Sequence, residues 1–283
     1  PMDQTFMTPQ EFVATINGHQ RFLRKQADGV RADLTGQNLS GLRLPNLNLR
    51  DAILADTDFR GAVITGCNFR NAELRGAKFQ GADAKETDFG VADLRGSQFQ
   101  DAKLAGANFK GADMTRLRQR VTKIGAIVNK TGAEVTMAKL GDAAKSDADT
   151  PNPSLADNFL PQTEMAPVIM AGADLTNANL SGVRANSANF NGANLTGAHL
   201  DNADLKGATL ADANLDRANL EGADLSGSDL RRASLAHANL ARADLCQADM
   251  RGSDLSDANA RHAQLVEANL TGAILQNADI RNA

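Results

Sequence analysis

Large apolar residues recur every five positions along most of the chain, and a small residue, usually Ala, precedes each by two positions. Asp or Asn lies between them, so the repeat is Ala-Asp/Asn-Leu-X-X, which occupies residues 31–114 and 169–283. A period of five fits neither the 3.6-residue period of a helix nor the two-residue alternation of a strand. Fixed-period repeats are typical of solenoids, in which each repeat packs on its neighbours.

The phenylalanines indicate how many repeats close one coil, because they recur every ten residues from Phe59 to Phe109. With four repeats per coil, Phe59 lies below Phe79 and like stacks on like; with three, Phe59 lies below Leu74. We therefore predict an all-β solenoid of square section, with about 20 residues per coil and coils about 4.8 Å apart. The apolar residue and the Ala face inward, and the two residues after the apolar one face outward. This places Cys67 inward and Cys246 outward.

Residues 1–30 differ from the repeat and contain a helix signature at residues 8–26. Thr8, Pro9 and Glu11 form the pattern of a capping box with Pro in the first turn. We predict a helix that covers the open end of the first coil, since solenoids need such polar-faced ends. A helix that docks a partner is the alternative.

Residues 116–168 form an insertion between repeat block one (31–115) and repeat block two (169–283). We predict a basic amphipathic helix there, then a second helix from Thr131 to Leu140, and a flexible return rich in polar residues and Pro. The apolar face comprises Leu117, Val121, Ile124 and Val128, and the flanking cations are Arg116, Arg118, Arg120, Lys123 and Lys130. The helix either packs on its own protein or binds an acidic partner, nucleic acid or a membrane surface. If Met170 follows Met114 as the next repeat, Phe190 continues the phenylalanine series, which favours one continuous solenoid.

Composition and charge exclude several classes of function. The formal net charge of −4 lacks the basic excess of a duplex-binding domain. The two cysteines do not suggest a disulfide framework, and no signal peptide is evident, so we expect a cytoplasmic location. The histidines lack neighbouring ligands at metal spacing, and no nucleophile has a partner base. We predict no enzyme activity, no catalytic residue, no metal, no cofactor and no small-molecule substrate.

The twenty-residue coil would stack acidic residues in columns. One column comprises Asp204, Asp224 and Asp244, and the next comprises Asp229 and Asp249. These columns could present phosphate-like charge at regular spacing. Alternatively they are structural, with their charge offset by nearby arginines, namely Arg231, Arg232, Arg242 and Arg251.

The repeat resembles that of the pentapeptide-repeat protein family, whose consensus is Ala-(Asp/Asn)-Leu-X-X. The resemblance implies a right-handed quadrilateral β-helix in a bacterial protein that binds other proteins. Some members, including the quinolone-resistance type, mimic DNA and bind type II topoisomerases, so DNA gyrase and topoisomerase IV are implied as possible partners. This chain departs from them in its basic insertion and in lacking their dimerising C-terminal helix. Two copies could still pair through the C-terminal coil.

Overall fold

The computed structural model describes residues 7–115 and 165–283, together with the backbone of three short segments between them. Those segments are residues 117–118, 127–128 and 134–135, and only the backbone is described for 165–166 as well. The regular elements are helix α1 (Pro9–Leu23) and strands β1 (Leu117–Arg118), β2 (Ile127–Val128), β3 (Glu134–Val135) and β4 (Met165–Ala166). No helix in the described part of the chain has the length and apolarity needed to cross a membrane.

The repeats form coils that are joined by isolated parallel bridges, and each bridge links residues twenty apart in sequence within a block. Asp33 pairs with Ile53, and three further columns begin at Asn38, Arg43 and Asn48. At each corner the chain turns through a residue with left-handed backbone, such as Gly36 at a φ of 67°. Glycine, Asn and Asp tolerate this conformation better than other residues, which explains their recurrence at the corner position.

The two repeat blocks share these columns. Gln98 pairs with Ile169 and Asp113 pairs with Arg184, so the last coil of block one bonds to the first coil of block two. The described residues within 7–117 and 167–283 fall into one compact unit, and those within 118–166 fall into a second.

The core is a continuous file of apolar side chains inside the coils. Almost every central residue and almost every Ala two positions before it is buried. Phenylalanine rings stack in two files: Phe59 on Phe79 at 5.0 Å between centroids, and Phe69 on Phe89 at 5.3 Å. Burying one such side chain stabilises the fold by roughly 1.5–3 kcal/mol, so the lumen supplies most of the stability.

Helix α1 begins with the predicted capping box. The Thr8 hydroxyl accepts from the Glu11 N–H and the Glu11 carboxylate accepts from the Thr8 N–H, with Pro9 in the first turn. Phe12 and Ile16 pack against the core of the coils. The predicted helix is therefore confirmed, and its apolar face covers the first coil.

The predicted helices of the insertion are wrong where the structure describes the chain. Leu117–Arg118, Ile127–Val128 and Glu134–Val135 are strands, and β2 pairs antiparallel with β3, with Ile127 opposite Val135. Strands β1 and β4 pair in a second two-stranded sheet. Helical spacing is misleading here because Ile and Val, which are branched at Cβ, favour strand pairing. The other residues of these predicted helices lie outside the described residues.

Candidate protein-interaction surface

Three aspartates form one column on block two, which we call the acidic column: Asp204, Asp224 and Asp244. Each pairs by a backbone bridge with the next, so they occupy equivalent positions on successive coils. All three are half-buried, and one carboxylate oxygen of each accepts the backbone N–H two residues later. The donors are Lys206 at 3.2 Å, Ser226 at 2.9 Å and Cys246 at 2.9 Å. These bonds hold the carboxylates in one orientation, as in Asx turns.

The acidic column has no salt bridge among the residues that the structure describes. The same column in block one is different, because Asp93 binds Arg95 at 2.7 Å and Asp113 binds Arg184 at 3.0 Å. Arg184 therefore marks the point at which the column changes from paired to unpaired acids. Beyond Arg184, the side-chain amide of Asn186 donates a hydrogen bond of 3.3 Å to Asp204. Because this donor is uncharged, the negative charge of Asp204 is not compensated.

The neighbouring column, Asp229 and Asp249, is paired with arginine, and we call it the paired column. Arg231 binds Asp229 through two nitrogens at 2.8 and 2.7 Å, and Arg251 binds Asp249 at 2.8 and 2.6 Å. These hydrogen bonds lower the pKa of both carboxyls below their usual range. Arg231 also reaches Asp249 at 3.9 Å, so the charge of this column is locally neutralised.

The other two arginines expected to offset the acids bind elsewhere. Arg232 binds Asp212 at 2.6 Å, and Arg242 binds Glu221. The interpretation that arginines neutralise the acidic surface therefore holds for the paired column and fails for the acidic column. A sequence signal distinguishes them: the paired acids precede Arg by two residues, whereas the acidic column precedes Lys, Ser or Cys.

The predicted basic surface of the insertion is not described by the structure. Arg118 lies in β1, with only its backbone described. The remaining cations, Arg116, Arg120, Lys123 and Lys130, lie outside the described residues. Their role in binding nucleic acid or a membrane surface stays a prediction.

Two family models match the chain. A model of pentapeptide repeats matches residues 173–212, 213–252 and 253–283, and a model of a pentapeptide repeat region matches residues 32–109. Together they cover well over half of the sequence. The chain belongs to the pentapeptide-repeat family. Its fold is the right-handed quadrilateral β-helix of these proteins. No curated protein matches the sequence significantly.

Several solved pentapeptide-repeat proteins resemble this one. HetL, a protein involved in heterocyst differentiation regulation from the cyanobacterium Nostoc sp. strain PCC 7120, is 26% identical over 92% of this chain and 93% of its own, with a TM-score of 0.48. Trypsin-treated QnrB1, a plasmid-mediated fluoroquinolone resistance protein, is 19% identical over 85% and 84%, with a TM-score of 0.37. A protein of the Arabidopsis thaliana thylakoid lumen is 33% identical over 31% and 69%, with a TM-score of 0.27.

In the part of this pentapeptide-repeat protein that the structure describes, cysteine and metal chemistry add no second site. Burial raises the pKa of the Cys67 thiol to about 11, which keeps it protonated and unreactive. Within the described ranges, no group of His, Cys, Asp or Glu side chains is arranged to hold a metal ion. The coil at residues 264–283 exposes Ile274, Leu275 and Ile280, but pairing of two copies through it stays a prediction.

Proposed function

We propose that this pentapeptide-repeat protein is a non-enzymatic interaction module that binds a basic protein surface through the acidic column. The observation that carries the proposal is the contrast between two adjacent columns of aspartates. Asp229 and Asp249 are held by arginines, whereas Asp204, Asp224 and Asp244 are oriented by backbone N–H groups and have no described basic partner.

A pre-oriented row of carboxylates contributes more to binding a partner than to stabilising the fold. Exposed ion pairs within a protein contribute only about 0–1 kcal/mol to folding, so an unpaired acid costs the fold little. Across an interface the same charges steer association and select the partner by complementarity. Because successive coils are about 4.8 Å apart, the column would align three negative charges with a row of Lys or Arg side chains.

A matched pair of double variants tests this assignment. Asp224→Asn/Asp244→Asn removes two charges from the acidic column, and Asp229→Asn/Asp249→Asn removes two from the paired column on nearby coils. Binding of a labelled oligolysine peptide is measured by fluorescence anisotropy at low and at physiological salt. The two variants change the net charge equally. We expect the first to weaken binding several-fold more than the second, because only the acidic column has carboxylates without an arginine partner. Equal losses would show that the column has no special role.

The acidic column also favours a second candidate, mimicry of DNA toward a type II topoisomerase. Duplex DNA carries one negative charge per about 1.7 Å of axis, and the column provides a sparser row of the same sign. The test is DNA supercoiling by gyrase, and decatenation by topoisomerase IV, with and without a quinolone. We expect inhibition or protection at micromolar protein that Asp224→Asn/Asp244→Asn abolishes. Unchanged enzyme activity with the wild-type protein would eliminate this candidate and leave the oligolysine test unaffected.

A further inference from the structure

His19 lies at the junction between α1 and the first coil, and its side chain is fully buried. Its imidazole stacks on Phe22, with ring centroids 5.7 Å apart. Its Nδ1 accepts a hydrogen bond of 3.1 Å from the backbone N–H of Ala32, the residue that enters the first repeat. The equivalent amide one coil later, Ala52 N–H, bonds the carbonyl of Leu49 at 3.1 Å within its own coil. At Ala32 the helix supplies the acceptor instead.

This hydrogen bond defines the protonation state of the imidazole. Because Ala32 N–H is a donor, Nδ1 must carry a lone pair, and the single proton of the neutral ring sits on Nε2. The Nε2 atom is buried and has no partner among the described residues. Adding a second proton would place N–H against N–H at Ala32, so the bond exists only while His19 is neutral.

The charged groups around His19 come from both elements. On α1, Arg21 binds Asp28 at 2.9 Å. On the first coils, Arg31 disfavours the imidazolium and Asp51 favours it, together with the backbone carbonyl of Arg50. Burial is the largest influence, and it lowers the pKa of His19 below 6.5.

We propose that His19 is an acid-sensitive latch whose protonation releases α1 from the first coil. Release uncovers Ala32 N–H and also the carbonyl of Asn48, which accepts a hydrogen bond of 3.0 Å from the Gln20 side chain. The Asn48 carbonyl belongs to the backbone edge of the first coil, since the equivalent Asn68 carbonyl accepts a hydrogen bond of 2.8 Å from Leu49 N–H of the preceding coil. The released state therefore presents an unpaired edge of the kind that pairs with other strands.

The sign of the pH dependence follows from linkage. The released histidine titrates near its ordinary pKa of 6.5, and the docked one titrates lower. The released state therefore binds more protons between these two values, and docking weakens as pH falls through that window. Within it, the equilibrium between docked and released α1 shifts by about tenfold per pH unit, and below the docked pKa it levels off.

Amide hydrogen exchange of the full chain tests the latch. The protection factor of the Ala32 amide should fall about tenfold per pH unit below pH 6.5, while that of the Leu205 amide, which bonds Asp224 at 2.8 Å in block two, stays constant. His19→Gln keeps an acceptor and removes the titration, so the Ala32 protection factor should become independent of pH. Constant wild-type protection, or a parallel loss at Leu205, would overturn the proposal.

Asp51→Asn provides a second variant that leaves His19 in place. Asn tolerates the left-handed backbone of position 51, where φ is 64°. Removing the carboxylate lowers the docked pKa further, so the fall in Ala32 protection should extend to lower pH and reach a larger total. If the Ala32 amide of His19→Gln is unprotected at every pH, the shift of the Ala32 profile in Asp51→Asn tests the latch instead. An Ala32 profile that Asp51→Asn does not shift refutes the latch.

Discussion

The rings of Phe79 and Phe99 stack one coil apart, with centroids 4.5 Å apart and planes inclined by only 4°. Phe59 stacks on the other side of Phe79, and Phe89 meets Phe79 edge-on at 5.6 Å. Phe79 therefore has aromatic neighbours above, below and across the lumen. The coils of block one are tied together by these contacts as well as by the backbone bridges.

Phe79→Ala should destabilise the protein by about 3–5 kcal/mol, because it removes a buried ring and leaves a cavity. A double-mutant cycle with Phe99→Ala should give a coupling of about 0.5–1.5 kcal/mol from the lost stack. Chemical denaturation monitored by circular dichroism measures both values. The matched cycle is Phe190→Ala with Leu210→Ala, a buried pair one coil apart without a second ring; an equal coupling there would deny the aromatic stack any special contribution.

Leu225→Asp should unfold the coils around it, since Leu225 is fully buried and a carboxylate in the lumen would have no partner. Arg232→Ala removes an exposed ion pair with Asp212 and should change stability by less than about 1 kcal/mol. Thermal melts compare the two variants. Similar melting temperatures would contradict the assignment of inward and outward positions.

Val91→Gly should stabilise the protein by about 1 kcal/mol. Val91 is a residue branched at Cβ in left-handed backbone, with φ of 51°, and it is 45% exposed. The strain relieved exceeds the entropy that glycine adds to the unfolded chain. Val91→Ala, which keeps a Cβ at this corner, should gain less. A loss of stability in the glycine variant, measured by denaturant midpoint, would show that the valine side chain makes contacts that outweigh its strain.

Asp244→Asn should speed alkylation of Cys246. A hydrogen bond with the Asp244 carboxylate raises the pKa of the Cys246 thiol, and the nearby negative charge adds to the effect. Without the carboxylate, more thiolate is present at mildly alkaline pH, and iodoacetamide reacts with the thiolate. The rate is followed by mass spectrometry, with buried Cys67 as the internal reference. Asp229→Asn, on the paired column, should leave the rate unchanged; if Asp244→Asn also leaves it unchanged, Asp244 does not control the thiol.

Much of the core is predictable because a fixed period of five determines which side chains face the lumen and which face solvent. The ten-residue recurrence of phenylalanine indicated which rings stack, and Phe59 does stack on Phe79. The predicted inward position of Cys67 and outward position of Cys246 are confirmed, as the first is buried and the second partly exposed. The capping box at Thr8 was evident from local spacing alone.

The surface was harder to predict, since the partners of outward side chains depend on short-range geometry. Counting charges suggested that Arg232 and Arg242 offset the acidic column, yet they bind Asp212 and Glu221. The helix prediction for the insertion is wrong for another reason. Apolar spacing suited a helix, but Ile127 and Val128 pair as a strand with β3, a contact that spacing along one segment does not show.

Because the two blocks share columns, the number of repeat residues between two positions determines their relative angle around the solenoid axis. Deleting twenty residues between Asp113 and Asp204 would shorten the stack by one turn and keep both aspartates above one another. Deleting five would turn everything downstream by a quarter revolution and carry Asp204 away from Asp113, although every remaining outward side chain would keep its identity. The segment between the blocks escapes this constraint because Gln98 still meets Ile169 across it. Its length is therefore not tied to the five-residue repeat, whereas the length of a coil is.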